Sequence, residues 1–295
     1  MYEGIRSPAV HSPRTMNSLI NISTRFPHAM YWAGGTFIMS RCDYYKNESP
    51  DIINLANVAE LKRIYRTDKY LEIGATVTFD VMLTVGKQVL PNLLQATLEK
   101  SGSTIVRRQM SIGGAICTPD VRLPLPVSLC ALEAEVEIRT CAGAKTQTRW
   151  APIERLYDRK GAFLLKRNEL VSRIRLALRT DNFYQHIVVG NPMVEPDKSV
   201  ILSLSCHYSQ SVIDRFRMCI AFPSSLFLVP SEVNVQMHGT MLPLSTSQME
   251  RTVRSIMEEI TGSADQEATP IQLERAKRFI ESALHELNAR SLIFR

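Results

Sequence analysis

The sequence predicts an α+β protein built in more than one domain, and three observations carry that reading. Two glycine pairs, Gly34-Gly35 and Gly113-Gly114, each follow an apolar or basic approach. Short stretches of period-two alternation, such as Ala134 to Arg139, recur through the middle of the chain. Two amphipathic helices close the chain after a run of strands, as expected of helices packed on one face of a mainly antiparallel sheet. At 295 residues the chain is also long for a single core.

Taken in order, residues 1–14 are extended, with Pro8, His11 and Pro13. From Thr15, the positions Met16, Leu19 and Ile20 share one helical face, and Thr15 or Ser12 can cap it. Pro27 stops that helix. Ala29 to Ala33 then reads as a strand, Gly34-Gly35-Thr36 as a turn, and Phe37 to Arg41 as a short helix. A polar loop spans Asp43 to Pro50, before a strand at Ile52 to Leu55 and a helical turn at Val58 to Leu61. Arg63 to Arg66 and Tyr70 to Ala75 are strands around a polar turn, and Thr78 caps the next helix.

A helix from Pro91 to about Lys100 has Leu93, Leu94, Thr97 and Leu98 on its apolar face. An apolar helical run covers Leu123 to Leu132. In Ala134 to Arg139, Val136 and Ile138 alternate with Glu135, Glu137 and Arg139, the pattern of a half-exposed strand. It pairs with Gln147 to Ala151 across Gly143. In Glu169 to Leu178, the residues Leu170, Ile174, Leu176 and Leu178 are expected on one side.

Further strands are expected at Phe183–Val189, Ser199–Tyr208, Arg215–Ala221 and Val233–His238. Helices follow from about Ser247 to Ile260 and from Thr269 onward. Thr269, Pro270 and Gln272 form a capping-box start. The polar linker Gly262 to Ala268 joins the two helices.

Composition excludes several classes. Hydrophobic residues make up 45% and charged residues 22%, as in ordinary globular proteins. No apolar run reaches the ~20 residues of a membrane span, and the N-terminal stretch lacks the apolar segment of a secretory signal. The net charge of +6 suits an anionic ligand, but the basic residues are scattered and no nucleic-acid motif occurs. The six cysteines form no C-x-x-C and the six histidines have no metal-ligand spacing. The thiols read as reduced, in a cytoplasmic protein.

The chemistry therefore rests on the glycine pairs. Only glycine lets a backbone come close to an anion, and helix N-termini favour negative charge. A dinucleotide-binding module follows, although neither G-x-G-x-x-G nor a P-loop is present.

The flanking segments extend this reading. They are Ala33-Gly34-Gly35-Thr36, Ile53-Asn54-Leu55, Glu60-Leu61, Leu71 to Thr78, Arg107 to Gly114, Ala131 to Val136 and Asn168 to Val171. As a series they resemble the FAD-binding medium subunit of the molybdenum hydroxylases, which include carbon monoxide dehydrogenase and bacterial xanthine dehydrogenase. The resemblance runs from about Ser12 to Leu178, and the remainder looks like a divergent form of the family's C-terminal domain. It implies a two-subdomain FAD-binding (PCMH-type) module, residues 1–86 and 87–179. A C-terminal domain of residues 180–295 would resemble that of the carbon monoxide dehydrogenase flavoprotein.

The resemblance also implies roles. Ala33, Gly34, Gly35, Thr36, Phe37 and Ile38 would wrap the FAD pyrophosphate, with Thr36 adding a hydroxyl. Ser111, Ile112, Gly113, Gly114 and Ala115 would form a second phosphate and ribityl clasp. Thr76 would lie near the same cleft, Asp120 would replace a ribityl-binding Asp, and Leu170 or Val171 would border the flavin or adenine. The partners would be a molybdopterin-binding large subunit and a small subunit carrying [2Fe-2S] clusters. Electrons would pass through the flavin to NAD, a quinone or dioxygen, in an oxidoreductase component not active alone.

Departures from the family pattern are Phe37 in place of an acidic residue and Ala115 in place of Asn. Met110 and Ser111 replace a Gly and a Thr, and Thr118-Pro119-Asp120 shortens a longer stretch. The family's early basic residues have no match near Phe183 to His186. These departures open an alternative: a structural or assembly subunit of the same fold without flavin.

Overall fold

A computed structural model of the chain describes residues 9–40, 51–85, 89–118, 122–141, 147–166, 168–262 and 268–293. The Asp43–Pro50 loop, Gly86, Asp120, the turn at Gly143 and the interior of the Gly262–Ala268 linker lie outside the described residues.

The chain begins with a small parallel sheet. Strands β1 (Val10–His11), β2 (Met30–Trp32) and β3 (Ile52–Asn54) run in the order β1-β3-β2, with Val10 and Met30 both opposite Ile52. Helix α1 (Met16–Arg25) is capped by Thr15, whose hydroxyl oxygen accepts from the Ser18 N–H at 3.2 Å. Its Met16 and Leu19 pack with Ile53, Leu55, Val58 and Leu61. After β2, Gly35 turns the chain with φ +70° into α2 (Thr36–Ser40). A Cβ there would meet the Trp32 indole nitrogen at 2.5 Å, because the backbone doubles back over that ring.

An antiparallel sheet follows. Its strands are β4 (Ile64–Arg66), β5 (Tyr70–Gly74), β6 (Glu135–Thr140), β7 (Thr148–Pro152) and β8 (Glu169–Ala177), in the order β4-β5-β8-β6-β7. Among the described residues, the α-helices of this half are α3 (Phe79–Thr84), α4 (Asn92–Lys100), α5 (Thr104–Arg107), α6 (Ile112–Ile116) and α7 (Pro124–Ala131). Ile73, Val136, Ile174 and Leu176 of the sheet share one core with Leu94 of α4, Ile112 of α6 and Leu129 of α7.

Two expectations for this sheet fail for identifiable reasons. Glu137 was expected on an exposed face, but it is 1% exposed. Its carboxylate is held by Arg173, by Arg139 at 2.7 Å and by the Ser172 hydroxyl, so ion pairing roofs the polar face of the strand. Leu170 was expected on the same side as Ile174. Arg173 stands opposite Glu137 while Val171 stands opposite Ile138, which makes Ser172 an extra residue in β8. That bulge shifts the side-chain phase. Val171 joins Ile174 in the main core, and Leu170 packs with Met16, Leu19 and Ile53 behind the sheet.

The third sheet is also antiparallel, with β9 (Phe183–Val189), β10 (Val200–Ser209), β11 (Val212–Phe222) and β12 (Leu226–Leu228) in the order β12-β11-β10-β9. Helices α8 (Ser231–Met237), α9 (Thr246–Thr261) and α10 (Pro270–Ile293) share its second core. The strand expected at Val233–His238 is instead α8. Val233, Asn234 and Met237 are buried at helical spacing while Val235 is 74% exposed, and Asn234 Oδ1 accepts from the Met218 N–H at 3.1 Å. The capping box read at Thr269 and Gln272 is formed, with the Thr269 N–H donating to Gln272 Oε1 at 3.0 Å and the Gln272 N–H to Thr269 Oγ1 at 3.3 Å.

The other face of this sheet meets α7, which touches both β10 and β11. All residues from Leu125 to Ala131 are buried there. An all-round apolar helix is what a position between two sheets requires. No helix among the described residues is long and apolar enough to cross a membrane.

Candidate functional site

The two glycine loops meet. Gly34 lies against the main chain of Gln109, just ahead of the second glycine pair. That pair is stitched to the strand end above it: the Gly113 N–H donates to Ala75 O at 2.8 Å, the Ile112 N–H to Val77 O at 3.0 Å, and the Phe79 N–H to Met110 O at 3.0 Å. A Cβ on Gly113 would approach the Ala75 Cβ to 2.7 Å. Ser111 caps α6 by accepting from the Gly114 N–H at 3.1 Å, and the Thr118 hydroxyl donates to Gly114 O at 3.0 Å.

Between the loops runs a cleft of about 260 Å³. Ala33, Gly34, Gly35, Thr36, Phe37 and Ile38 wall one side, and Met110, Ser111, Gly114, Ala115, Cys117, Thr118 and Leu123 the other. Nine of the residues singled out by sequence thus stand on one cavity. Others stand elsewhere. Ile112 is fully buried in the core, and Gly113 is used in the contact with Ala75. Thr76 donates its hydroxyl to Leu61 O at 2.9 Å and does not line the cleft. Leu170 belongs to the cluster behind the sheet. Asp120 is outside the described residues.

The cleft is electrically quiet. No charged side chain is among its described walls, which offer main chain, the Thr36, Ser111 and Thr118 hydroxyls, and apolar surface. The Cys117 thiol is pushed up to about 12 by burial, against the pull of the Arg122 charge, so it is neutral at physiological pH. An anion here would be met by peptide dipoles rather than by a cation.

Met110 and Leu123 also wall a second cavity of about 390 Å³, so the two form adjoining lobes. Phe79, Lys100, Gly102, Leu125, His186, Val188 and the segment Gly190–Met193 complete the second lobe. Sequence reasoning missed it. His186 and Val188 alternate along β9 as any half-buried strand would, and only the tertiary fold brings them to α4 and α7. His186 is 7% exposed, and its imidazole is depressed to about 4 by burial and, secondarily, by the nearby Lys100 charge. Among the described residues no cluster of three His, Cys, Asp or Glu could hold a metal.

Residues 4–177 match the family model of the FAD-binding domain in molybdopterin dehydrogenase. The chain belongs to that family. The resemblance read from the sequence is borne out, and so is the α+β fold class.

A curated relative, the xanthine dehydrogenase FAD-binding subunit of Escherichia coli O157:H7, is 26% identical over 164 residues, 55% of this chain and 54% of that protein. The chain thus spans about half the length of the curated relatives it matches. Among solved structures, a carbon monoxide dehydrogenase chain from Hydrogenophaga pseudoflava superposes with a TM-score of 0.79 at 17% identity, covering 96% of this chain and 98% of that one. A chain of quinoline 2-oxidoreductase from Pseudomonas putida 86 gives 0.77 at 16% identity, covering 95% and 96%. These likenesses establish the fold over nearly the whole chain, including the region beyond the family match.

Proposed function

We propose that this chain binds FAD in the two-lobed cleft and serves as the flavin subunit of a molybdenum hydroxylase-type oxidoreductase. The observation that carries the proposal is the convergence of the two glycine loops on one uncharged cleft, which shares its Met110 and Leu123 walls with a second cavity. Taken together, the two cavities have the scale of ligand pockets, which span roughly 300–1,000 Å³. The main chain of Ala33 to Ile38 and the capped turn at Ser111 would hold the pyrophosphate, with the Thr36 hydroxyl beside them. One planar end of the dinucleotide would occupy the second lobe.

When bound, the flavin would supply one- and two-electron chemistry, and the protein would supply position and polarity. Electrons would come from [2Fe-2S] clusters of a small partner subunit, with the molybdenum cofactor in a large one, and would leave to NAD or another acceptor.

Addition of FAD to the purified chain tests the reading. A yellow protein that retains a flavin absorbance band through gel filtration is expected, and a colourless one overturns it. One observation favours a second reading, a flavin-free assembly subunit. Gly34 and Gly113 are required by loop packing whether or not a ligand is present, and Phe37 and Ala115 bring no polar group to the cleft. Co-purification of partner subunits with no flavin band would select that alternative.

A further inference from the structure

A chain of hydroxyl groups ends on His186 and fixes its protonation. The Thr97 hydroxyl donates to Leu93 O at 2.8 Å, which uses its only hydrogen. Ser128 Oγ lies 2.6 Å from Thr97 Oγ1, so Ser128 must be the donor of that pair. Ser203 Oγ lies 2.9 Å from Ser128 Oγ. Ser128 has spent its hydrogen, so Ser203 donates to it. His186 Nδ1 lies 3.0 Å from Ser203 Oγ, and Ser203 has no hydrogen left, so Nδ1 carries the proton and donates. Every hydroxyl then donates once and accepts once, in one direction from the imidazole to the α4 main chain. With the Thr97 hydrogen held on Leu93 O, the opposite tautomer would leave the Ser128–Ser203 contact without a hydrogen between its oxygens.

The other ring nitrogen, Nε2, is thereby a bare acceptor. It is buried and has no partner among the described residues, on a residue that walls the second lobe and is 7% exposed. A buried acceptor without a donor is costly, which makes it a place for a ligand donor.

We infer that His186 Nε2 accepts a hydrogen bond from an N–H group on the planar ring of the ligand that enters the second lobe. This rests on the FAD reading above. A dinucleotide of this kind offers such a donor at each end, the imide N–H of the isoalloxazine and the amino group of adenine. The Thr97–Ser128–Ser203 relay makes His186 a positioning acceptor rather than an acid.

The test titrates FAD into the full-length wild-type protein, His186→Phe and His186→Gln. Phe removes the acceptor, whereas Gln can present an oxygen. FAD affinity is expected to fall about tenfold in His186→Phe, as loss of one buried hydrogen bond implies. It should recover to within about threefold in His186→Gln. Equal affinity for wild type and His186→Phe overturns the inference and leaves the FAD reading standing. Failure of the wild type to bind FAD overturns both. Titrations with FMN and with ADP identify the end, since only the half reaching the lobe weakens in His186→Phe.

Should His186→Phe not fold, long-range proton–nitrogen spectra of the wild type decide. The expected result is a protonated Nδ1, with the Nε2 resonance moving on FAD addition. A protonated Nε2, or one indifferent to bound FAD, overturns the inference.

Discussion

Gly34 stands so close to the main-chain carbonyl of Gln109 that a methyl group at position 34 would sit 1.6 Å from its oxygen. Both partners in that contact are backbone, so no side chain can swing aside. Gly34→Ala should therefore push the two loops apart. Overpacking of this kind typically costs 1–3 kcal/mol, and a backbone clash belongs at about the upper end. Urea denaturation should show the loss without any ligand present, because the contact lies within the fold.

Thr76 separates support of the cleft from contact with its contents. Its hydroxyl donates to Leu61 O from a position 9% exposed, tying the segment after β5 to the turn before β4. Thr76→Val keeps the shape and removes one of that carbonyl's two donors, the main-chain N–H of residue 76 remaining at 3.0 Å. Stability should fall by about 1 kcal/mol, whereas the affinity for FAD should change less than twofold. A large drop in affinity at unchanged stability would place Thr76 on the ligand instead.

Much of this fold is legible along the chain because its signals are local. Thr15, Thr78 and Thr269 cap the helices they precede, and the apolar faces of α9 and α10 are those their spacing dictates. Errors arose where a distant partner decides. Val233 and Val235 suggest a strand by β-branching, yet burial of Asn234 against β11 selects a helix. Leu170 changes face because Ser172 is an extra residue relative to β6, which no single strand's pattern reveals. The glycine loops of the site were visible because close backbone approach demands glycine. The second lobe was not, since His186 gains its meaning only from Ser128 and Ser203, contributed by α7 and β10.

Glu137 shows how a buried charge is tolerated. Burial alone would raise its carboxyl, but hydrogen bonds from Arg173, Ser172 and Arg139 and the Arg139 charge hold it below the ordinary carboxylate range. A depressed carboxylate stabilises the native state above its unfolded value, and the gain is lost as pH falls through the folded one. Glu137→Gln removes the charge and leaves Arg139 and part of Arg173 uncompensated, although Glu72 still pairs with Arg173 at 2.8 Å. A loss of about 2–3 kcal/mol at neutral pH is expected. The variant should also lose less further stability than wild type on acidification below about pH 4.5.

His186 gives the same sign at milder pH. Its imidazole is depressed from 6.5 to about 4 by burial and then by Lys100, and the Thr97, Ser128 and Ser203 hydroxyls around it bring no negative charge. Between those values the unfolded chain binds a proton that the native protein refuses. Stability tied to this residue is therefore intact above about pH 6.5 and drains away as pH falls toward 4. Each pH step of one between the two values costs about 1.4 kcal/mol, so the loss from pH 7 to pH 5 is about 2 kcal/mol. His186→Gln cannot titrate, so its urea midpoint should fall less than that of wild type over the same interval. The difference between the two curves isolates this histidine from the chain's five others. Parallel curves would mean that the native imidazole takes up its proton over the same pH interval as in the unfolded chain, against the burial seen here.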